Sequence, residues 1–224
     1  MRWLLGLFIL GISTAYCFKG KENISIQFNP KFGSSNLILE KNYFLAAVND
    51  SISIDKFKFY VSGISLLKNG KTIFQNKAGF YLMDLENKMK LEFGSTTTDF
   101  DAIQFNLGVD STTNAGGVKG GDLDPTKNMY WAWQSGYINF KLEGKSKVCK
   151  TRNNVFQFHI GGYMHPNNSL QTITIPAQGN TIQLNFDLEK FLSGVGLPII
   201  NEIMSPNAKA MQVSKLYKTV FEAQ

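Results

Sequence analysis

The sequence predicts an all-β protein, mainly an antiparallel β-sandwich, with short helices at its C-terminal end. Three observations carry that expectation. Apolar and polar residues alternate with period two in a series of short runs between Ile24 and Asp187. Turn residues separate those runs at close spacing, as in sandwiches and barrels. Only beyond Asp187 does the apolar spacing become helical. The chain has 224 residues, 43% hydrophobic and 18% charged, which suits one sizeable globular domain. Most of its 18 phenylalanines fall within the alternating runs, where aromatic side chains fill a pleated, half-buried surface.

Residues 1–17 read as a signal peptide. Arg2 supplies the positive start, and the apolar run from Trp3 to Ile12 is shorter than the roughly 20 residues that span a bilayer. Ala15 and Cys17 are small, so cleavage after Cys17 leaves a single domain over residues 18–224; the alternative is a lipid anchor at Cys17. The mature protein is therefore expected to be periplasmic, outer-membrane-associated or secreted. Loss of Cys17 leaves Cys149 as a lone thiol, expected to be a half-buried strand residue.

The strands follow in order. "NISIQFN" puts Ile24, Ile26 and Phe28 on one face, and "NLILEKNYFLA" continues after a turn at Gly33–Ser35. In "SISIDKFKFYVSGISLL", Ile52 and Ile54 share one parity while Phe57, Phe59 and Val61 share the other, which calls for a bulge near Asp55. Asn69-Gly70 is a strong hairpin signal joining "GISLL" to "TIFQ". "GFYLMDLE" and "DAIQFNLGV" read as further strands, the second with Ile103, Phe105 and Leu107 on one face. After a glycine-rich insertion come "MYWAWQ", "YINFKLEG" and "VFQFHIGG", then the pair "LQTITIP" and "NTIQLNFDL" around a turn at Gln178–Asn180. "DLEKFLSG" reads as a helix capped by Asp187 and ended by Gly194. Ser205 as N-cap, with Pro206 at the first helical position, predicts a final helix carrying Met211, Val213, Leu216, Tyr217, Val220 and Phe221 as a lid over the sheets.

Composition and motifs exclude several functions. The net charge of +6 is spread along the chain without a basic cluster, so nucleic acid is not an expected partner. There is no Gly-x-Ser-x-Gly elbow, phosphate-binding loop or dinucleotide fingerprint, and the chain is not expected to be an enzyme.

Three segments carry candidate chemistry. In "KNMYWAWQSGYINFKLEG", strand periodicity places Met129, Trp131 and Trp133 on one side and Tyr130, Ala132 and Gln134 on the other. In "FQFHIGGYMHP", His159 lies on the face opposite Phe156, Phe158 and Ile160, Gly161-Gly162 permits a turn or bulge, and Met164 and His165 follow. Two imidazoles near a thioether can bind copper; the alternative for His159 is a hydrogen-bonded histidine on a half-buried face. In "GVDSTTNAGGVKGGDLDPTKNMYW", Asp110, Asp122 and Asp124 share a glycine-rich loop, a composition that suits calcium or, equally, aspartates capping backbone amides.

"YLMDLE", "FNLGVD", "GDLDP…NMYWAWQSGYINFKLEG" and "FHIGG", in that order, resemble the MbnP-like family of secreted copper-binding proteins over roughly residues 22 to 190. The resemblance implies a β-rich protein acting in copper acquisition or homeostasis. It further implies a tryptophan oxidised to kynurenine by a di-haem MauG/MbnH-like peroxidase partner, with histidine completing the copper site. Carried onto this sequence, the implied residues are Trp131 or Trp133 and His159, with Trp131 preferred as the modified ring. The resemblance implies that some relatives of the wider group place a histidine two positions after the modified tryptophan; here Trp133 stands there, leaving His165 or Met129 as substitutes. The other reading is a surface recognition or adhesion sandwich that uses the aromatic face without metal.

Overall fold

The computed structural model describes residues 21–133 and 136–224, so the expected signal peptide and Cys17 lie outside the described residues. The chain begins with β1 (Glu22–Phe32), β2 (Ser35–Asn36) and β3 (Asn42–Leu45). A turn of 3-10 helix then leads to β4 (Asp50–Lys68), on which β5 (Lys71–Asp84) folds back. Next come β6 (Lys90–Ser95), β7 (Ala102–Leu107), helix α1 (Ser111–Ala115), β8 (Tyr130–Trp131), β9 (Gly136–Ser146) and β10 (Val155–Gly161). A small hairpin of β11 (Tyr163–Met164) and β12 (Asn167–Asn168) precedes β13 (Gln171–Pro176) and β14 (Thr181–Asp187). The chain closes with α2 (Leu188–Val195), β15 (Glu202–Ile203), α3 (Ala208–Ser214), α4 (Tyr217–Val220) and β16 (Phe221–Ala223).

Two sheets pack face to face. The smaller runs β16-β14-β1-β2, with β6 also on β1; the larger runs β13-β7-β4-β9-β10-β15, with β3 and β5 on β4 and β8 on β9. Pairing is antiparallel except for β1 with β14 and β10 with β15. Alternation explains the core: Ile24, Ile26 and Phe28 of β1, with Phe186 of β14 beside them, face Phe57 and Phe59 of β4 and Phe105 of β7, all buried. Phe28 meets Phe59 edge-on at 5.3 Å between ring centres and Phe105 at 5.9 Å, a geometry that aromatic pairs favour.

The expected bulge exists: the register of β4 against β9 shifts between Ile54 and Lys56, which turns Ile52, Ile54, Phe57 and Phe59 all inward. The Asn69-Gly70 hairpin also forms, with φ of 51° and 73° and Lys68 opposite Lys71.

Elsewhere the structure differs from the sequence reading, for local reasons. "TIFQ" and "GFYLMDLE" are one strand, β5: the register jumps from Ser62–Phe80 to Ile64–Asn76, so residues 77–79 loop out while pairing continues on both sides. "NLILEKNYFLA" does not stay extended, because Glu40 takes a left-handed conformation at φ 62°. Among the described residues of "MYWAWQ", only Tyr130 and Trp131 are strand, as β8. β13 and β14, adjacent in sequence, belong to different sheets, so Gln178–Asn180 crosses the sandwich instead of closing a hairpin.

Helix α2 ends at Gly196, left-handed at φ 74°, and not at Gly194. The final helix is broken. Asn207, not Ser205, caps α3 by accepting from Ala210 N at 3.0 Å. Ser214 Oγ donates to Met211 O at 3.0 Å, competing with the backbone ladder, and α4 restarts at Tyr217. The chain then extends as β16 along β14. Cys149 lies in a turn beyond β9, fully buried, where burial pushes its thiol up to about 11.

Candidate metal centre

The site is built where β8, the end of β10 and the β11–β12 hairpin converge. At Gly161 the register of β10 against β9 shifts by a bulge, and Gly162 takes φ 113°. Both glycines are required by close packing. A Cβ on Gly161 would lie 2.6 Å from Cζ3 of Trp131 and 2.5 Å from Tyr137 O, and one on Gly162 would lie 2.8 Å from Cβ of Pro206. Trp131 therefore lies on bare backbone, held by β8 pairing with Gly136 of β9.

A buried amide network fixes the surrounding loops. Asn114 Oδ1 accepts from Tyr137 N at 2.8 Å, while its Nδ2 donates to Val109 O at 2.9 Å. Asn139 Oδ1 accepts from Val109 N, and its Nδ2 donates to Ser169 Oγ, both at 2.9 Å. Ser111 Oγ donates to Tyr163 O at 2.7 Å. Paired in this way, buried polar groups specify one arrangement of the loops.

The result is a cleft of ≈ 150 Å³ lined by Trp131, Gly136, Gly162, Tyr163, Met164, His165, Asn167 and Pro206. Trp131 is only 5% exposed. Trp133 is 68% exposed, in a turn, with its ring centre 5.9 Å from that of Trp131. Met164 is also well exposed, and the His165 ring has no hydrogen bond or ion pair with a described residue.

The other candidate residues lie elsewhere. Met129 is fully buried in a small second core with Tyr60, Leu82, Val109, Leu123, Trp131, Tyr137 and Ile138, and does not reach the cleft. His159 is 7% exposed, with Nε2 donating to Glu143 Oε1 at 2.7 Å. Above all this bond from His159, and then the charge of Lys141, holds the Glu143 carboxyl below its ordinary value despite burial. Lys141, 3.9 Å from the same carboxylate, donates to Asn128 O at 2.7 Å, next to Met129. Burial pushes the Lys141 ammonium below its ordinary value, and the neighbouring Lys56 and Lys58 add to that. His159 thus joins an ionic cluster behind the loop that carries Trp131.

The three aspartates organise their own loop. Asp110 caps α1 and accepts from Thr113 N at 2.8 Å. Asp124 accepts from Thr126 N at 2.9 Å, the main cause of its lowered pKa. Asp122 Oδ2 accepts from Leu82 N at 3.0 Å, tying the loop to β5. Among the described residues no group of three or more His, Cys, Asp or Glu side chains is placed to hold a metal ion.

The sequence matches the MbnP family over residues 21–208. The chain belongs to the MbnP family. Among solved structures it is similar to MbnP from Methylosinus trichosporium, with TM-score 0.60 and 14% identity, covering 76% of this chain and 77% of that one. That likeness concerns the fold. No curated protein matches the chain.

In this MbnP-family sandwich, the cleft joins Trp131, Met164 and His165 from the sequence reading and adds Tyr163, Asn167 and Pro206. Met164 was legible beside His165 in "YMHP". Pro206 had no local signal, since its place depends on β15 and α3 docking beside Gly162.

Proposed function

We propose that this MbnP-family protein is an exported copper-binding protein, not an enzyme, acting in copper acquisition or homeostasis outside the cytoplasm. One observation supports this reading above the rest: His165, whose imidazole has no hydrogen bond to a described residue, shares a cleft with the Met164 thioether and Trp131. That donor set fits copper, since imidazole serves both oxidation states and sulfur the softer one. Calcium would draw on the carboxylates of Asp110, Asp122 and Asp124, whose oxygens already serve backbone amides.

The reading extends to a di-haem MauG/MbnH-like peroxidase partner acting on Trp131. Trp133 is an exposed ring beside an enclosed one, which gives a partner at the surface a short path to Trp131. Two equivalents of peroxide, each reduced to two waters at the haem partner, would take four electrons from the ring, and two water molecules would supply the oxygens, with release of four protons, as the indole C2–C3 bond breaks. Hydrolysis of the resulting N-formyl group as formate leaves an aryl amine and a ketone, both donors, where indole offers only N–H.

Copper titration of the purified protein, followed by metal analysis after gel filtration, tests the reading. Retention of about one copper per chain is expected, as for a pre-formed site with few polar donors. A chain that retains none, with or without prior exposure to such a peroxidase, sinks it.

A further inference from the structure

We infer that the end of the sandwich formed by β3 and the β9–β10 turn docks on an anionic phospholipid surface, with its lysines among the phosphate groups and Phe44 in the apolar layer beneath them. The inference is independent of the copper reading and concerns a face of the molecule away from the cleft of Trp131.

Four features lead to it. First, charge that is spread along the chain as a whole becomes one-sided in the β9–β10 turn. From Gly144 to Asn154 the sequence carries Lys145, Lys147, Lys150 and Arg152 and no carboxylate. All four cations are exposed. Lys145 pairs with Asp55 at 3.2 Å, whereas Lys147, Lys150 and Arg152 make no ion pair with a described residue. Second, the turn is held in one shape. Asp50 accepts from Ser146 Oγ at 2.7 Å, Asn154 Nδ2 donates to Cys149 O at 3.0 Å, and Asn153 and Asn154 are left-handed at φ 61° and 56°. Cations projected from a pre-formed turn lose little entropy on meeting a surface.

Third, the register puts an apolar ring beside them. Ser53 stands between Asn42 of β3 and Lys145 of β9, and Phe44 stands opposite Ser51, so these side chains share the outer face of the sheet. Phe44 is 60% exposed there. Fourth, an open cleft of ≈ 380 Å³ lies on the same face, where Lys145 and Lys147 meet the hydroxyls of Ser51 and Ser53 and the amides of Asn42 and Asn153. Its lining holds no Asp or Glu, and this donor-rich set suits the oxygens of a phosphodiester.

The nearby carboxylates do not cancel the charge. Asp50 and Asp55 are engaged by Ser146 and Lys145, and the exposed Glu40 is outnumbered by the three unpaired cations. Apolar contact together with attraction to anionic lipid is the combination that holds proteins at a membrane interface. Phe44 favours a bilayer over an acidic polymer as the occupant, because a bilayer offers an apolar layer directly beneath its phosphates. The seven residues of β10 run from this turn to the cleft of Trp131, so a docked molecule holds that cleft about 20 Å from the lipid.

The test is vesicle sedimentation with the metal-free chain from residue 18 onward. Vesicles of phosphatidylcholine alone are compared with vesicles that also contain phosphatidylglycerol, and polyglutamate serves as a soluble rival. Wild type is expected to bind the phosphatidylglycerol vesicles at least about tenfold more tightly than the neutral ones, and more weakly as salt rises. Lys147→Gln/Lys150→Gln is expected to lose about twentyfold or more, at about fivefold per cation, and Phe44→Ser about tenfold. Lys71→Gln/Lys77→Gln removes the same charge from exposed positions of β5, which pairs with the other end of β4. It is expected to lose less than about threefold, because that charge lies well beyond a screening length. No binding, or equal binding to both vesicle types, overturns the inference. So does wild-type affinity in Lys147→Gln/Lys150→Gln, or an equal loss in Lys71→Gln/Lys77→Gln. Tighter binding to polyglutamate than to the phosphatidylglycerol vesicles overturns it in favour of an acidic protein partner. Every arm is read without copper, so the copper reading stands or falls separately.

Discussion

Among individual residues, Glu143 and His159 decide how the protein responds to acid. Glu143 has a folded pKa below its ordinary 4.5, chiefly because His159 donates to it. A depressed carboxylate contributes stability that is complete above its unfolded pKa and is lost as pH falls through the folded value. Acid unfolding should therefore steepen below about pH 4.5, the unfolded value of Glu143, and Glu143→Gln should flatten that limb of the stability curve. His159→Ala should cost about 1.5–3 kcal/mol by urea denaturation near neutral pH, the usual worth of a hydrogen bond to a charged group. His159 also shows how far a residue can be read from its neighbours in sequence. Its face and its two-glycine successor were legible in "FHIGG"; its partner was not, because Glu143 is sixteen positions away on another strand.

Elements show the same division between local and distant causes. The bulge in β4 was legible because a change of parity is written in consecutive residues. The loop-out at residues 77–79 was not, since it exists only against the register of β4. The broken C-terminal helix was hidden for a similar reason: apolar spacing continues through Ser214 and Leu216, and the break comes from a side-chain hydroxyl bonding to its own helix. The β10 bulge matters most to the site. Gly161→Ala places a methyl group against the Trp131 ring and the Tyr137 carbonyl, so the ring must move. The variant should lose about 1–3 kcal/mol, the usual cost of overpacking, and shift tryptophan emission toward the exposed range. Unchanged emission would show that Trp131 does not rest on this backbone.

For the whole molecule, the core depends on a segment beyond the family match, which ends at residue 208. Phe221 of β16 reaches between the sheets, 4.7 Å from Phe186, 5.4 Å from Phe105 and 6.1 Å from both Phe28 and Phe59. Tyr217 and Val220 are buried beside it. Phe221→Ala should therefore cost about 3–5 kcal/mol, measured by thermal or urea denaturation, as for other large aromatic truncations in a core. The sandwich class and most strands could be read from alternation, yet the assignment of strands to sheets could not, because it depends on contacts between distant parts of the chain.

That dependence has a temporal side. β1 pairs in parallel with β14, residue 25 opposite residue 181 and residue 31 opposite residue 187. As the chain leaves a ribosome, its first strand has one main partner, β6, and must wait for the second. Closing a loop of that size costs entropy before any contact rewards it, which slows folding of such topologies. Until residue 187 has emerged, β1 keeps an unpaired edge. The interval between synthesis and closure is then the period in which this protein most needs to be kept from pairing with its neighbours.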